Sequence, residues 1–306
     1  MTAGRLLYLA YHAPREHVEA LVDRSLAPRR DRAMRVAATR LAPVSHPLSA
    51  KLPAVRFLTG ERFAHQTAFC AHSFCQTAGL LPRFEFFDDG SLTPAQDDLL
   101  RRLFPSSTVI SAAESFRSLE QHLPTANFPA LRHARECSPL MRKLLDLHVG
   151  RPQPVLYLDS DMLFFNRPDR LLAWLRLPSD TLHMAESGPG AYVDSPTVLQ
   201  SLLGRDLPAG VNTGIIALDG ARLDWSALES AAAALGAARR AHKWAEQTLF
   251  AWLLAGLGSQ PLDPAHYRVC ASRADLNPPA PVLRHYVHKA KMPYVAGEWR
   301  RGASSA

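Results

Sequence analysis

Cysteine is scarce in this sequence: Cys70, Cys75, Cys137 and Cys270 are the only four in 306 residues, and none has metal-type spacing. Free, buried thiols are expected. Long hydrophobic runs are missing too. Nothing approaches the roughly 18 apolar residues that span a bilayer, and Leu6–Ala13 is too short and wrongly flanked for a signal peptide. There is no Asn-x-Ser/Thr acceptor, no internal repeat and no low-complexity tract. These absences speak against a membrane-spanning, secreted or solenoid protein, and a cytoplasmic location is expected. What is present is ordinary globular composition, 47% hydrophobic and 21% charged, enough for one large α/β domain or two small ones. Lys and Arg number 35 against 28 acidic residues, for a formal net charge of +7. Local clusters such as Arg29-Arg30-Asp31-Arg32 and Arg239-Arg240 are short and scattered, so the excess reads as a solvated basic surface with no nucleic-acid partner. It leaves room for phosphorylated ligands and for peripheral contact with the anionic inner face of a membrane.

Residues 1–53 are expected to form an N-terminal extension packed on the main domain. A strand candidate lies at Leu6–Ala10 and a helix near Arg15–Ser25, followed by a basic, Pro-containing stretch to Pro53. An α/β rhythm starts at Ala54 and defines a domain over 54–306. Val55–Thr59 reads as a strand ending at Gly60, and His65–Ala78 as a helix closed by Gly79. Arg83–Asp88 is a strand running into a turn, and Thr108–Ile110 is a short third strand. Ser138 and Pro139 predict a helix with Leu140, Met141, Leu144, Leu145 and His148 inward, Arg142, Lys143 and Asp146 off that face, and Gly150 beyond its end. Further on, strands are expected at 155–159 and 181–185, a turn at Gly210–Gly214 leading into a fully apolar strand that ends at Leu218, and helices at 169–175, 228–240 and 242–254. Alternating strands and helices imply a mostly parallel sheet whose ligands bind beyond the carboxyl ends of the strands. Thr59, Asp88, Asp89, Asp159 and Asp161 all stand at such ends.

The most informative stretch is Val155-Leu-Tyr-Leu-Asp159-Ser-Asp161-Met-Leu-Phe-Phe. In extended chain, side chains at i and i+2 share a face, so both carboxylates can reach one cation. Two charges beside a buried strand are costly unless neutralised. Hard divalent cations take oxygen ligands and keep open positions for phosphates, which points to a metal-bound diphosphate. Capping or turn aspartates are the simpler alternative.

Together with the turn Asn212-Thr213-Gly214, the pair Glu246-Gln247, and His285 six residues before Lys291, this motif resembles glycosyltransferase family 8, of the glycogenin and galactosyltransferase type. The resemblance covers about residues 54–294. It implies the GT-A fold: a Rossmann-like, mostly parallel central sheet flanked by helices, with a smaller mixed sheet near a metal site. It also implies hexose transfer from a nucleotide-diphosphate sugar, with a uridine diphosphate sugar expected, to a sugar, lipid-linked or small-molecule hydroxyl. Asp159, Asp161 and His285 would hold Mn²⁺ or Mg²⁺. Lys143, Lys291, Thr59, Asp88 and Asp89, with Asp159, would hold the donor. Family 8 retains configuration, which would give Gln247 or the leaving phosphate a front-face role; inversion would make Glu246 a general base. Asn212 would contact sugar hydroxyls. The chain departs from the family at His288, where the family has glycine, at Met292-Pro293 in place of Pro-Trp, and at Glu246 in place of aspartate.

Bland readings stand beside these: a glycine turn for Asp88-Asp89-Gly90-Ser91, an exposed helix pair for Glu246-Gln247, and solvated surface for Lys291. A haloacid-dehalogenase-type phosphatase shares an apolar-strand Asp-x-Asp. Leu163 at its fifth position, a missing Gly-Asp-x-x-x-Asp motif and the long preceding segment disfavour it. A catalytically inert sugar-nucleotide-binding module is the non-enzymatic alternative.

Overall fold

A computed structural model describes residues 25–186 and 191–303. The strand expected at Leu6–Ala10 and, apart from Ser25, the helix at Arg15–Ser25 lie outside them. A helix over residues 25–39 (α1) comes first. Strands β1 (Ala54–Thr59), β2 (Phe84–Asp88) and β3 (Thr108–Ile110) alternate with α2 (Ala64–Ala78), α3 (Pro94–Leu103) and α4 (Ala112–His122). Then come α5 (Pro129–Cys137), the single turn α6 (Met141–Leu144), β4 (Pro154–Leu158) and β5 (Met162–Phe164). The chain continues through α7 (Asp169–Arg176), β6 (Leu182–Ala185), α8 (Pro196–Leu203), β7 (Val211–Asp219), α9 (Trp225–Arg240) and α10 (Ala245–Leu257). Three short strands follow, β8 (Gln260–Leu262), β9 (Tyr267–Cys270) and β10 (Leu283–Tyr286), and short helical turns run from His288 to Ala303.

The central sheet has seven strands in the order β3-β2-β1-β4-β7-β6-β8, and β7 alone runs against its neighbours. Apolar side chains alternate between its faces with the period of two that a pleated strand imposes. Leu156 and Leu158 of β4, with Ile215 and Ala217 of β7, join the core beneath α2, α3 and α7. Val155, Tyr157, Ile216 and Leu218 enter the opposite core beneath α4, α5, α9 and α10. A strand buried on both faces favours apolar residues, which is why β4 and the Ile215–Leu218 part of β7 read as hydrophobic runs; Asn212-Thr213-Gly214, expected as a turn, is instead the start of β7. Arg56 is the polar interruption in β1: it is buried, lies 2.7 Å from Glu85 and donates to the carbonyl of Leu147. Helix α1 contributes Met34 and Ala38 to the first core.

A second, mixed sheet, β5-β10-β9, packs beside the first, with β5 antiparallel and β9 parallel to β10. Asp159-Ser160-Asp161 is the bend between the two sheets, and not, as expected, a continuation of β4. No described helix is long and apolar enough to cross a membrane.

One local expectation fails. Ser138 ends α5, and α6 is one turn followed by turns, so helical periodicity does not apply across 138–150. Leu140 is exposed, whereas Lys143 and Asp146 are buried. Asp146 pairs with Arg135 at 2.6 Å and not with its helix neighbours.

Candidate active site

β4 carries the Asp-x-Asp bend to the centre of the molecule, and three backbone or hydroxyl contacts fix it there. The Asp159 amide donates to the Gly214 carbonyl at 2.8 Å, and the Tyr286 amide donates to the Asp161 carbonyl at 2.9 Å. Between the aspartates, Ser160 joins a chain of buried hydroxyls, 2.8 Å from Thr67, which is in turn 2.8 Å from Thr59. Thr59 therefore supports the bend from beneath.

Both carboxylates open into a cleft of about 290 Å³. Of the eleven site residues expected from sequence, eight line it: Lys143, Asp159, Asp161, Asn212, Glu246, Gln247, His285 and Lys291. Thr59, Asp88 and Asp89 do not. Asp88 accepts from the amides of Gly90 and Leu92, and Asp89 from the amide of Ser91, so both organise the turn after β2. The Asp89 carboxylate lies against Gly60, where a Cβ would come within 2.0 Å of it. Arg142 donates to the Asp89 carbonyl and braces the same turn.

Within the cleft the charges are interleaved. Lys143 Nζ lies 2.7 Å from Asp159 Oδ1 and 2.9 Å from Oδ2. Lys291 Nζ is 2.9 Å from Asp161 Oδ2. His285 Nε2 faces both acids, 3.1 Å from Asp161 and 3.6 Å from Asp159. Burial alone would raise the Asp161 pKa, but His285 and Lys291 outweigh it and hold the group well below the usual carboxylate range. Burial would lower Lys143, yet Asp159, Glu246 and Asp161 keep it above its ordinary value. Burial pushes Glu246 up to about 7, with Lys143 opposing and Asp159 adding to the rise. Its Oε2 accepts from Thr213 at 3.3 Å, and its Oε1 is buried without a hydrogen-bond partner.

Ligand atoms of Asp159, Asp161 and His285 all lie within 4.8 Å of one another. Two carboxylates and an imidazole suit a hard or borderline divalent cation, so these residues fit Mn²⁺ or Mg²⁺. Strand β10 positions the ring, and Gly214 makes room for it: a Cβ there would stand 2.6 Å from His285 Nδ1 and 2.8 Å from Asn212 Oδ1. Asn212 Oδ1 accepts from the Gly214 amide at 2.8 Å, and its Nδ2 donates to Glu186 at 2.9 Å. Gln247 donates to the Ala191 carbonyl at 3.0 Å.

Sequence reasoning missed several of these groups. Tyr157 donates its hydroxyl to Asp159; the rule that i and i+2 share a face applied to this pair as well. Glu186, Lys243 and Trp244 also line the cleft, and no sequence signal marked them.

No protein-family profile matches the sequence, and no curated protein does. Among solved structures, the chain is similar to the galactosyltransferase LgtC in complex with donor and acceptor sugar analogues. The TM-score is 0.50 at 13% identity, covering 82% of this chain and 94% of that one. The bifunctional glycosyltransferase WbbM aligns with a TM-score of 0.52 at 13% identity over 84% of this chain, which spans 51% of WbbM. At such identity the likeness is one of architecture, and it agrees with the two sheets described above: the chain has the GT-A fold of these glycosyltransferases.

Proposed function

We propose that the chain is a metal-dependent glycosyltransferase. It moves a hexose from a nucleotide-diphosphate sugar, a uridine diphosphate hexose, to an acceptor hydroxyl, with retention at the anomeric carbon. One observation carries this reading: two carboxylates, an imidazole and two lysines converge in a single cleft at the carboxyl end of β4. Asp159, Asp161 and His285 would hold Mn²⁺ or Mg²⁺. When bound, the ion neutralises charge building on the departing diphosphate.

The side chains do the rest. Lys291, exposed at the rim, exchanges Asp161 for a phosphate oxygen of the donor and supplies a mobile point charge. Lys143 is buried and keeps its charge, so it fixes the positive end of the field at Asp159. Asn212, Glu246 and Gln247 form the wall where the hexose sits. Asn212 and Gln247 offer amide groups to sugar hydroxyls, and Gln247 or the leaving phosphate assists from the front face. The nucleoside lies beyond the ends of β1 and β2, beside the loops that Thr59, Asp88 and Asp89 shape. A cytoplasmic enzyme, peripheral at the inner face of a membrane, completes the reading.

Incubating the protein with Mn²⁺ and a panel of uridine- and guanosine-diphosphate sugars should release nucleoside diphosphate slowly by transfer to water. Gln247→Ala should lower that turnover far more than it weakens donor binding. Release of inorganic phosphate from simple phosphate esters would indicate a phosphatase instead, and binding without turnover an inert module.

A further inference from the structure

Outside the cleft, one surface gathers the arginines that the sequence leaves as a short cluster. The exposed face of α1 carries Arg29 and Arg32, and Arg40 follows in the turn just past its end, with Ala33, Val36 and Ala37 between them. The C-terminal segment lies alongside and adds Trp299 and Arg300. Together they form a groove of about 440 Å³, which continues into a second of about 270 Å³ that adds Arg30 and Val295. Among the described residues, no acidic one lines either groove. The nearby acids are engaged elsewhere: Asp31 with Arg35 and His65, and Glu298 with Arg284 and Arg301. Arg29, Arg32 and Arg40 form no ion pair among the described residues. Val36 is 43% exposed although the opposite face of the same helix, Met34 and Ala38, is fully buried.

We infer that this face docks on a bilayer containing anionic phospholipid. Arginines ringing an apolar strip match such a surface: the guanidinium groups meet lipid phosphates while Val36 and its neighbours rest at the headgroup boundary. The helix is pinned by its buried face, so the patch is preformed. An intervening cavity connects the patch to the cleft. Lys291 lines both the cleft and a cavity formed with Arg35, Arg62 and Val295, and Val295 lines the second basic groove. A membrane held against α1 would therefore bring a lipid-borne acceptor hydroxyl to the mouth of the site. The docking surface itself does not depend on the donor chemistry proposed above, and names where the membrane contact would occur.

The test is co-sedimentation of the full chain with vesicles of phosphatidylcholine mixed with phosphatidylglycerol, against phosphatidylcholine alone. Binding to the mixed vesicles only is expected. It should fade as salt shortens the screening length from about 8 Å at 0.15 M to about 3 Å at 1 M. Each arginine near an anionic surface contributes about fivefold in partitioning, so the double variant Arg32→Gln/Arg40→Gln should bind roughly 25-fold more weakly. Its turnover of donor in free solution should equal that of the parent, which separates this surface from the cleft. Equal binding to both vesicle types, an undiminished double variant, displacement by inorganic phosphate alone, or retention by duplex DNA without vesicle binding would each overturn the inference.

Discussion

Gly214→Ala probes how the candidate metal centre is held. The new Cβ would lie 2.6 Å from His285 Nδ1, 2.7 Å from its Cε1 and 2.8 Å from Asn212 Oδ1. Ordinary contact needs well over 3 Å. The imidazole must therefore retreat by more than half an ångström, or β7 must bend and stretch the 2.8 Å bond from the Asp159 amide to the Gly214 carbonyl. Overpacking of this kind costs about 1–3 kcal/mol of stability. If His285 is a ligand, moving its ring should also cost about 10–100-fold in Mn²⁺ affinity, the range seen when supporting partners of a metal ligand are lost. Gly204→Ala is the control: φ there is +65° and no atom lies within 4 Å, so it carries backbone strain without touching the site. Thermal unfolding and Mn²⁺ titration of both variants separate the effects. Both proteins should be destabilised, but only Gly214→Ala should lose metal affinity. Mn²⁺ binding by Gly214→Ala equal to that of the parent would refute the cradle.

Three further outcomes follow from the contacts. Lys143→Met leaves the Asp159 carboxylate beside the core without its cation; it should lose about 3 kcal/mol of stability without metal, and added Mn²⁺ should raise its Tm more than it raises the parent's. Thr67→Val breaks the hydroxyl chain linking Thr59 to Ser160 and should cost about 1–3 kcal/mol in urea unfolding, because two buried hydroxyls lose a partner; a neutral result would mean the bend needs no such tether. His148 is buried without a hydrogen-bond partner, and burial, reinforced by Arg56 and Arg151, pushes its pKa down to about 3. The unfolded chain takes up this proton below about pH 6.5 and the folded one does not, so stability is full above that pH and declines as pH falls. Between pH 7.5 and 5 the group should remove about 2 kcal/mol, and His148→Leu should abolish that part of the slope.

The parts of the fold legible in the sequence are those whose signal is local. The strand Thr108–Ile110 was readable to the residue, and Gly79 ends α2 in the left-handed conformation that glycine favours. Strand β4 and the Ile215–Leu218 part of β7 announced their two-sided burial by apolar runs. Helix α3 carried a usable signal that went unread, the Thr93–Gln96 capping box with Pro94 at its start. The small sheet was expected only from the family resemblance, and its strands could not be placed from the residues: β10 finds β5 more than a hundred residues away, and neither strand has a pattern of its own. At the site, the two aspartates were visible from their flanking strand, although it is a bend and not extended chain that aims them. Lys143 was misplaced because one helical turn was read as three. Glu246 and Gln247 sit beside Lys143 only through the packing of α10 on α6 and β7, which no spacing in the sequence encodes.

The central claim is that Asp159, Asp161 and His285 together bind one divalent cation that serves a nucleotide-sugar donor. Mn²⁺ titration followed by the spectroscopic signal of the free ion, with and without uridine diphosphate, tests it most directly. The parent should bind one ion per chain, more tightly when the nucleotide is present, and Asp161→Ala should lose that binding while keeping its thermal unfolding transition. Unchanged binding in a folded Asp161→Ala protein would contradict the account.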